Sequence, residues 1–89
     1  MEIIYRRLAE KGRRKTPAKV REQLDARVRA FAKEPNVAHH GGVKPLRSRV
    51  EFSIRQGKYR ALVEVREDAL IVRHYGHRKD VYEEYDDED

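Results

Sequence analysis

Three apolar runs separated by short turns constrain the fold of this chain most. From Val50 onward apolar side chains recur at every second position, as in Val50, Phe52 and Ile54, which is the period of a β-strand. The turns "RQGK" and "RED" separate this run from a second one at 59–66 and a third one at 69–75. Because loops this short join antiparallel neighbours, the pattern predicts a three-stranded meander.

A helical period precedes the strands. Thr16 suits an N-cap and Pro17 suits the first helical position, so we expect a helix from Pro17 to Lys33. Its apolar stripe should pack on the sheet, and it consists of Val20, Leu24, Val28 and Phe31. A different face carries charges four residues apart that can attract one another, at Arg21, Asp25 and Arg29.

The remaining segments complete an α+β prediction. "EIIY" at 2–5 favours a first strand, and "RRLAEKGRRK" favours a short helix with few anchoring contacts because Gly12 weakens it. "PNVAHHGGVKP" at 35–45 is typical of a loop. We therefore expect an N-terminal strand, then a short and a long helix packed on a mainly antiparallel sheet that ends in the meander. One domain should span residues 1–82, followed by an acidic tail at 83–89 that we expect to be flexible.

Composition narrows the functional classes. The 89 residues contain no cysteine, which excludes a disulfide scaffold and a cysteine-based zinc site. His39 and His40 are adjacent on a glycine-rich loop and lack the spacing of a metal ligand set. The chain has no apolar stretch long enough to cross a membrane and no signal-peptide layout, so we expect a cytoplasmic protein.

The charge is unevenly distributed along the chain. The net charge is +5, but residues 83–89, "EEYDDED", hold six acids, so residues 1–82 carry 21 basic and 10 acidic side chains. Such a basic body favours a polyanionic partner, either nucleic acid or an acidic protein. A cationic surface that serves solubility alone is the alternative interpretation.

Polar side chains gather where the predicted strands lie side by side. A basic face that holds Arg60, Glu51, His77, Arg78 and Tyr82 has the groups that cleavage of an RNA phosphodiester needs. One group takes a proton from a ribose 2′-hydroxyl, one stabilises charge on phosphorus, and one protonates the leaving oxygen. Each residue also has a simpler interpretation, such as a surface arginine, a backbone-bonded histidine, a half-buried tyrosine or an exposed glutamate.

Two motifs carry a family resemblance. "IRQGKYRALVEV" at 54–65 and "GHRKDVY" at 76–82 are accompanied by "PAKVREQL" at 17–24 and "VKPLRSR" at 43–49. In this order and separation they resemble the RelE/ParE superfamily of toxins from toxin–antitoxin modules. The final motif resembles the RelE branch.

The resemblance implies a RelE-like fold and a ribosome-dependent endoribonuclease. Such an enzyme cuts mRNA in the ribosomal A site without a metal or cofactor, and a cognate antitoxin neutralises it. By position, Arg60 resembles the arginine that stabilises the transition-state phosphate, and Arg78 resembles the one that assists the leaving group. Tyr82 resembles the terminal tyrosine that orients the 2′-hydroxyl or stacks on a base. His77 lies where some branches use a histidine as acid or base.

The chain departs from the RelE pattern at Glu51 and Ser53, where basic residues are common in that branch. Glu51 or His77 is therefore the candidate general base. We expect a further set of basic side chains to contact RNA: Lys44, Arg47, Arg49, Arg55, Lys58 and Lys79.

Two other functions remain open at this point. A ParE-like toxin would bind and inhibit DNA gyrase without cutting RNA, and a relic would keep the binding surface after losing catalysis. The C-terminal pair Arg78 and Tyr82 favours the nuclease. The acidic tail has two interpretations as well, a solubilising end or a segment that folds back on the basic cleft and mimics phosphate.

Overall fold

The computed structural model describes residues 1–81. Strand β1 (Glu2–Tyr5) leads into helices α1 (Arg7–Lys15) and α2 (Ala18–Lys33), and a 3-10 helix follows at Val37–His39. The chain then forms four more strands, which are β2 (Val43–Pro45), β3 (Glu51–Gln56), β4 (Tyr59–Arg66) and β5 (Ala69–His77). The predicted α+β class is confirmed. Strand β2 was not predicted, because it lies in the segment expected to be a loop.

The five strands form one sheet in the order β1-β5-β4-β3-β2. Strand β1 runs parallel to β5, and all other neighbours are antiparallel. The predicted meander is thus β3-β4-β5. Its first turn contains Gly57 at φ 61°, a conformation in which glycine avoids the strain that a side chain would cause. None of the helices within residues 1–81 is long and apolar enough to span a membrane.

Helix α2 covers one face of the sheet with the predicted apolar stripe. Leu24, Val28 and Phe31 are fully buried, and they pack in one cluster with sheet residues such as Ile54 and Val72. Burying side chains of this size stabilises the fold by roughly 1.5–3 kcal/mol each. The stripe is therefore the main apolar contact between helix and sheet.

The boundary between the two helices differs from the prediction. Thr16 is the C-cap of α1, and its hydroxyl donates to the carbonyl oxygen of Gly12 at 2.8 Å. Pro17 takes the N-cap position of α2 without a side-chain bond. The predicted N-cap role of Thr16 was wrong because its hydroxyl bonds the preceding helix instead of the following one.

Helix α1 is firmly anchored, contrary to the expectation from its composition. Ala9 is fully buried, and Gly12 lies against the backbone of β5. An ideal Cβ placed on Gly12 would be 1.7 Å from the carbonyl oxygen of Tyr75. Gly12 therefore permits a close approach of helix and strand, and the helix needs few large apolar side chains.

A buried carboxylate joins the helices to the sheet. Asp25 accepts hydrogen bonds from Arg13 Nη2 at 2.5 Å and from the Tyr75 hydroxyl at 2.8 Å, with Tyr5 at 3.5 Å. Burial and then the bond to Asp25 raise the pKa of Tyr75 well above its ordinary value. The same carboxylate raises the pKa of Arg13 through their hydrogen bonds. The predicted surface pairing of Asp25 with Arg21 and Arg29 was wrong, because Asp25 faces the sheet and is buried.

The close approach at Gly12 gives a testable prediction. In an open helix, Gly→Ala stabilises by about 1 kcal/mol, but here the new methyl group clashes with strand backbone. We expect Gly12→Ala to lower the free energy of unfolding by about 2–4 kcal/mol, measured by urea denaturation.

The matched control is Gly41→Ala, since nothing lies within 4 Å of a Cβ at Gly41. We expect that variant to stay within about 0.5 kcal/mol of the parent protein. A Gly12→Ala protein as stable as the parent would contradict the close packing of α1 on β5.

Candidate functional site

The sheet face opposite the helices carries four of the predicted site residues, namely Arg60, Arg55, Glu51 and Lys44, and we call it the outer face. Paired residues on neighbouring strands point to the same side of a sheet, so the register assigns each side chain to a face. Arg60 on β4 pairs with Arg55 on β3 and with Gly76 on β5. The outer face holds the side chains of Glu51, Ser53, Arg55, Arg60, Leu62, Glu64 and His74.

A cavity of about 250 Å³ opens on this face, and we call it the Arg60 groove. It is lined by a loop glycine, a valine, a serine and three cations: Gly42, Val43, Lys44, Ser53, Arg55 and Arg60. None of the described residues that line it carries a carboxylate. A surface with three positive side chains and a hydroxyl attracts an anion of the size of a phosphate group.

The two arginines of the groove lie directly opposite each other in the register. Like charges in such a cross-strand pair are destabilising. Arg60 Nη1 donates to the carbonyl oxygens of Gly57 at 2.8 Å and Tyr59 at 3.1 Å. Its Nε and Nη2 make no hydrogen bond within residues 1–81, so they remain available to an anion.

The loop before β2 closes one side of the groove. The backbone N–H of Arg55 donates to the carbonyl oxygen of Gly42 at 2.9 Å. Gly42 has a φ of 78°, and a Cβ there would lie 3.3 Å from the Arg55 carbonyl oxygen. A glycine is therefore required where the loop meets β3. This contact holds Lys44, on the strand that follows, beside Ser53.

Glu51, a candidate base, lies away from the groove. Its carboxylate is 3.6 Å from Arg73, which also lies 3.7 Å from the buried carboxylate of Glu64. Glu51 is four residues from Arg55 along β3, which is about 13 Å at 3.3 Å per residue. The structure thus places Glu51 with Arg73 and Glu64 and not with Arg60.

His77, the other candidate base, lies on the opposite side of the sheet from Arg60. It pairs with Tyr59, and the two rings meet edge to face with centroids 5.5 Å apart. Both line a second cavity of about 510 Å³ between α1 and the end of β5, beside Lys11 and Lys15. The expectation that His77 faces Arg60 was wrong, because Gly76 occupies the position opposite Arg60.

Arg78 follows β5 at the start of a helical turn at 78–81. Its backbone N–H donates to the carbonyl oxygen of Lys58 at 2.8 Å, so the end of β5 is tied to the turn that precedes Arg60. The Arg78 side chain is exposed. Tyr82 and the predicted acidic tail lie outside the residues that the structure describes.

The predicted RNA contacts divide into two groups. Lys44 and Arg55 line the Arg60 groove. The other four side chains are exposed on the β2–β3 loop, on the β3–β4 turn and after β5, and they are Arg47, Arg49, Lys58 and Lys79.

His74 was missed by the sequence analysis. It pairs with Leu62 on the outer face, two residues before the glycine opposite Arg60, and it is buried. A bulge shifts the register at Leu62/Val63. A signal was present, because the core residues Leu70, Val72 and Tyr75 are spaced by two and then three positions.

Both loop histidines contact Glu34 through their side chains, and the His40 ring also packs on Phe31. His39 pairs with the Glu34 carboxylate, and His40 Nε2 lies 2.7 Å from the Glu34 carbonyl oxygen. Within residues 1–81 no group of three or more potential ligands is placed to hold a metal ion.

Comparisons with solved structures identify proteins that have a similar fold. The chain superposes on a chain of the RelB-RelE antitoxin–toxin complex from Methanococcus jannaschii with a TM-score of 0.73 and 20% identity, over 92% of this chain and 98% of that one. The intact Escherichia coli RelBE complex gives 0.73 and 21%, over 85% and 94%. The RelBE2 complex from Mycobacterium tuberculosis gives 0.57 and 24%, over 86% and 96%.

These likenesses confirm the predicted RelE-like fold. No family model matches the chain, and no curated protein matches it by sequence. The similarity therefore lies in the arrangement of the helices and strands, at sequence identities below 25%.

The opposed arginines give a second prediction. A bound sulfate would neutralise both, so adding sulfate should raise the melting temperature of the parent protein by mass action. Arg60→Gln removes one of the two charges and should abolish most of that increase, measured by thermal unfolding at constant ionic strength.

Arg14→Gln is the matched control, because it removes an equal charge from an exposed position on α1. It should keep the full response to sulfate. An equal response from Arg60→Gln and the parent protein would show that the groove binds no anion.

Proposed function

We propose that this chain is the toxin of a type II toxin–antitoxin module and a metal-independent endoribonuclease that cuts mRNA in the ribosomal A site. The observation that carries the proposal is the Arg60 groove, where Arg60 lies opposite Arg55 beside Lys44 and no carboxylate from residues 1–81 forms part of the lining. Cutting mRNA would inhibit translation, which takes place in the cytoplasm.

The proposed reaction uses the RNA as its own nucleophile. The ribose 2′-oxygen attacks the adjacent phosphorus, the bond from phosphorus to the 5′-oxygen breaks, and a 2′,3′-cyclic phosphate and a 5′-hydroxyl result. One proton leaves the 2′-hydroxyl and one proton reaches the departing 5′-oxygen. The phosphorus centre gains negative charge on the way, so cations placed around it lower the barrier.

Arg60 is proposed as the residue that binds the phosphate in the transition state. Its side chain is half-buried, and two bonds from Nη1 to backbone carbonyls hold the guanidinium in one orientation. A planar guanidinium then presents Nε and Nη2 as a fork to two phosphate oxygens. A fixed donor costs no reorganisation at the moment of reaction.

Arg78 and Tyr82 keep the roles that the resemblance implies. Arg78 is proposed to assist the leaving oxygen, and its backbone contact with the β3–β4 turn supports a position near Arg60. Tyr82 is proposed to orient the 2′-hydroxyl or to stack on a base. For the general base, the pairing of Glu51 with Arg73 and the position of His77 disfavour both candidates from the sequence, whereas His74 shares the outer face with Arg60.

The proposed partners are a cognate antitoxin and mRNA on the ribosome. The three similar solved structures are toxin–antitoxin complexes, which supports an antitoxin for this chain. They are all RelBE complexes, so they favour the RelE branch over the gyrase-binding alternative.

An expression experiment tests the proposal. Producing the parent protein in bacterial cells should create new mRNA 5′ ends within coding regions, mapped by sequencing. Arg60→Ala combined with Arg78→Ala should lose these ends by at least about 100-fold, in line with losses on removal of transition-state donors.

The control removes two exposed arginines from the helices, with Arg14→Ala and Arg29→Ala. It should cut the same messages. New ends that survive the Arg60/Arg78 double substitution would contradict the assigned site, whereas toxicity without new ends would contradict the nuclease and favour the gyrase-binding alternative.

A further inference from the structure

The last described residue lies on the outer face beside the Arg60 groove. Val81 is buried, and its Cγ2 atom is 3.7 Å from a Cβ placed on Gly76. Gly76 pairs with Arg60, and a Cβ there points to the side that carries the Arg60 side chain. The turn at 78–81 therefore brings the chain from the end of β5 to the outer face, next to Arg60.

The residues that follow are long enough to cross the groove. Eight residues come after Val81, and they span up to about 26 Å when extended at 3.3 Å each. The groove extends from β4 to β2, two strand spacings away, which is about 10 Å. The acidic residues 83–89 thus start within reach of Arg60, Arg55 and Lys44.

The charges of the Arg60 groove and of residues 83–89 are complementary. Among residues 1–81 the groove is lined by three cations and by no carboxylate, and Lys58 is exposed on the turn that precedes Arg60. Six of the last seven residues are acids. A carboxylate offers a guanidinium two oxygens with the geometry of a phosphate, but it has no leaving group and no adjacent hydroxyl, so it can occupy the groove without reacting.

From these observations we propose that residues 83–89 bind the Arg60 groove and compete with RNA for it. The tail is linked to the chain a few residues from its site, so its effective concentration there is on the order of millimolar. RNA that makes only a few phosphate contacts must displace the tail from the groove. RNA that is also bound at another surface displaces the tail more easily. The tail therefore selects against free RNA, and this selectivity rests on the proposed function, whereas the tail contact does not.

The first test locates the tail without RNA. A full-length variant neutralises four of the six tail acids by Asp86→Asn, Asp87→Asn, Glu88→Gln and Asp89→Asn. We call it the neutral-tail variant, although Glu83 and Glu84 keep their charge. Backbone amide chemical shifts of this variant and the parent protein are compared at low and at high salt. We expect the differences to concentrate at Lys44, Ser53, Arg55 and Arg60 at low salt, and to shrink at high salt because exposed charges are then screened.

The second test measures RNA binding. The probe is a fluorescent single-stranded RNA of about a dozen nucleotides, with 2′-O-methyl groups so that it cannot be cleaved. At low salt the neutral-tail variant should bind it about 3- to 10-fold more tightly than the parent protein, and the two should converge at high salt.

A matched control separates local competition from net charge. It neutralises four exposed acids of the body, namely Glu10, Glu22, Glu67 and Asp68. This variant has the same net charge as the neutral-tail variant. We expect its fold-change in Kd for the RNA to be less than half of the fold-change that the neutral-tail variant shows.

The outcomes distinguish the binding of the tail to the groove from the proposed function of the chain. Shift differences scattered over the protein, or concentrated at Lys11 and Lys15 beside the second cavity, would overturn the tail contact. Equal affinity gains from the tail and body variants would overturn the competition. If the shifts map to the groove but neither protein binds the RNA, the tail contact stands and the proposed function fails.

Discussion

The carboxylate of Asp25 is the interaction on which the arrangement of the molecule depends. It is buried and holds Arg13 on α1 and Tyr75 on β5 at the same time. Removing one partner of a buried charge pair costs about 3–5 kcal/mol, and because Arg13 is partly exposed the lower end of that range applies here. With Gly12 against the Tyr75 carbonyl, this contact fixes both helices on one face, so the opposite face remains for binding.

The same contact determines the geometry of the candidate site. Tyr75 faces the helices, so the next residue, Gly76, faces outward and meets Arg60 in the register. A glycine there leaves room for Val81 to pack over the strand. The Arg60 groove lies on the other side of Arg60, toward Arg55 on β3 and Lys44 on β2. The pairing of Arg55 with Arg60 lowers stability because like charges lie opposite each other.

The regular helices and strands were predictable because the spacing of apolar residues along the sequence matches the period of each structure. Leu24, Val28 and Phe31 indicate the helix, and Phe52, Ile54, Ala61 and Val63 indicate two strands, since each pattern matches one geometry. Strand β2 was not predictable from its own three residues, because it forms only by pairing with β3. Asp25 was misplaced because sequence spacing identifies a helix face without showing which tertiary partner reaches it.

The residue types of the candidate site were predictable from the sequence. The face of the sheet on which each residue lies was not. Arg60 and Arg55 come together because the alternation of β3 and β4 is regular, and Lys44 joins them through the pairing of β2 with β3. His77 did not join them, since the face of a residue on β5 depends on the register with β4, which the bulge at Leu62/Val63 alters. That register also brings His74 to the outer face, where it pairs with Leu62.

The most direct measurement of the central claim uses mRNA with one altered sugar. Ribosomes are programmed with a message that carries a 2′-deoxynucleotide at the position cut in the all-ribose message, and cleavage by the purified protein is compared. From the proposed reaction we predict that the deoxy message stays intact, while the all-ribose message yields a 2′,3′-cyclic phosphate and a 5′-hydroxyl. Cleavage of both messages at similar rates, or products with a 5′-phosphate, would contradict it, because either result requires a nucleophile from outside the RNA.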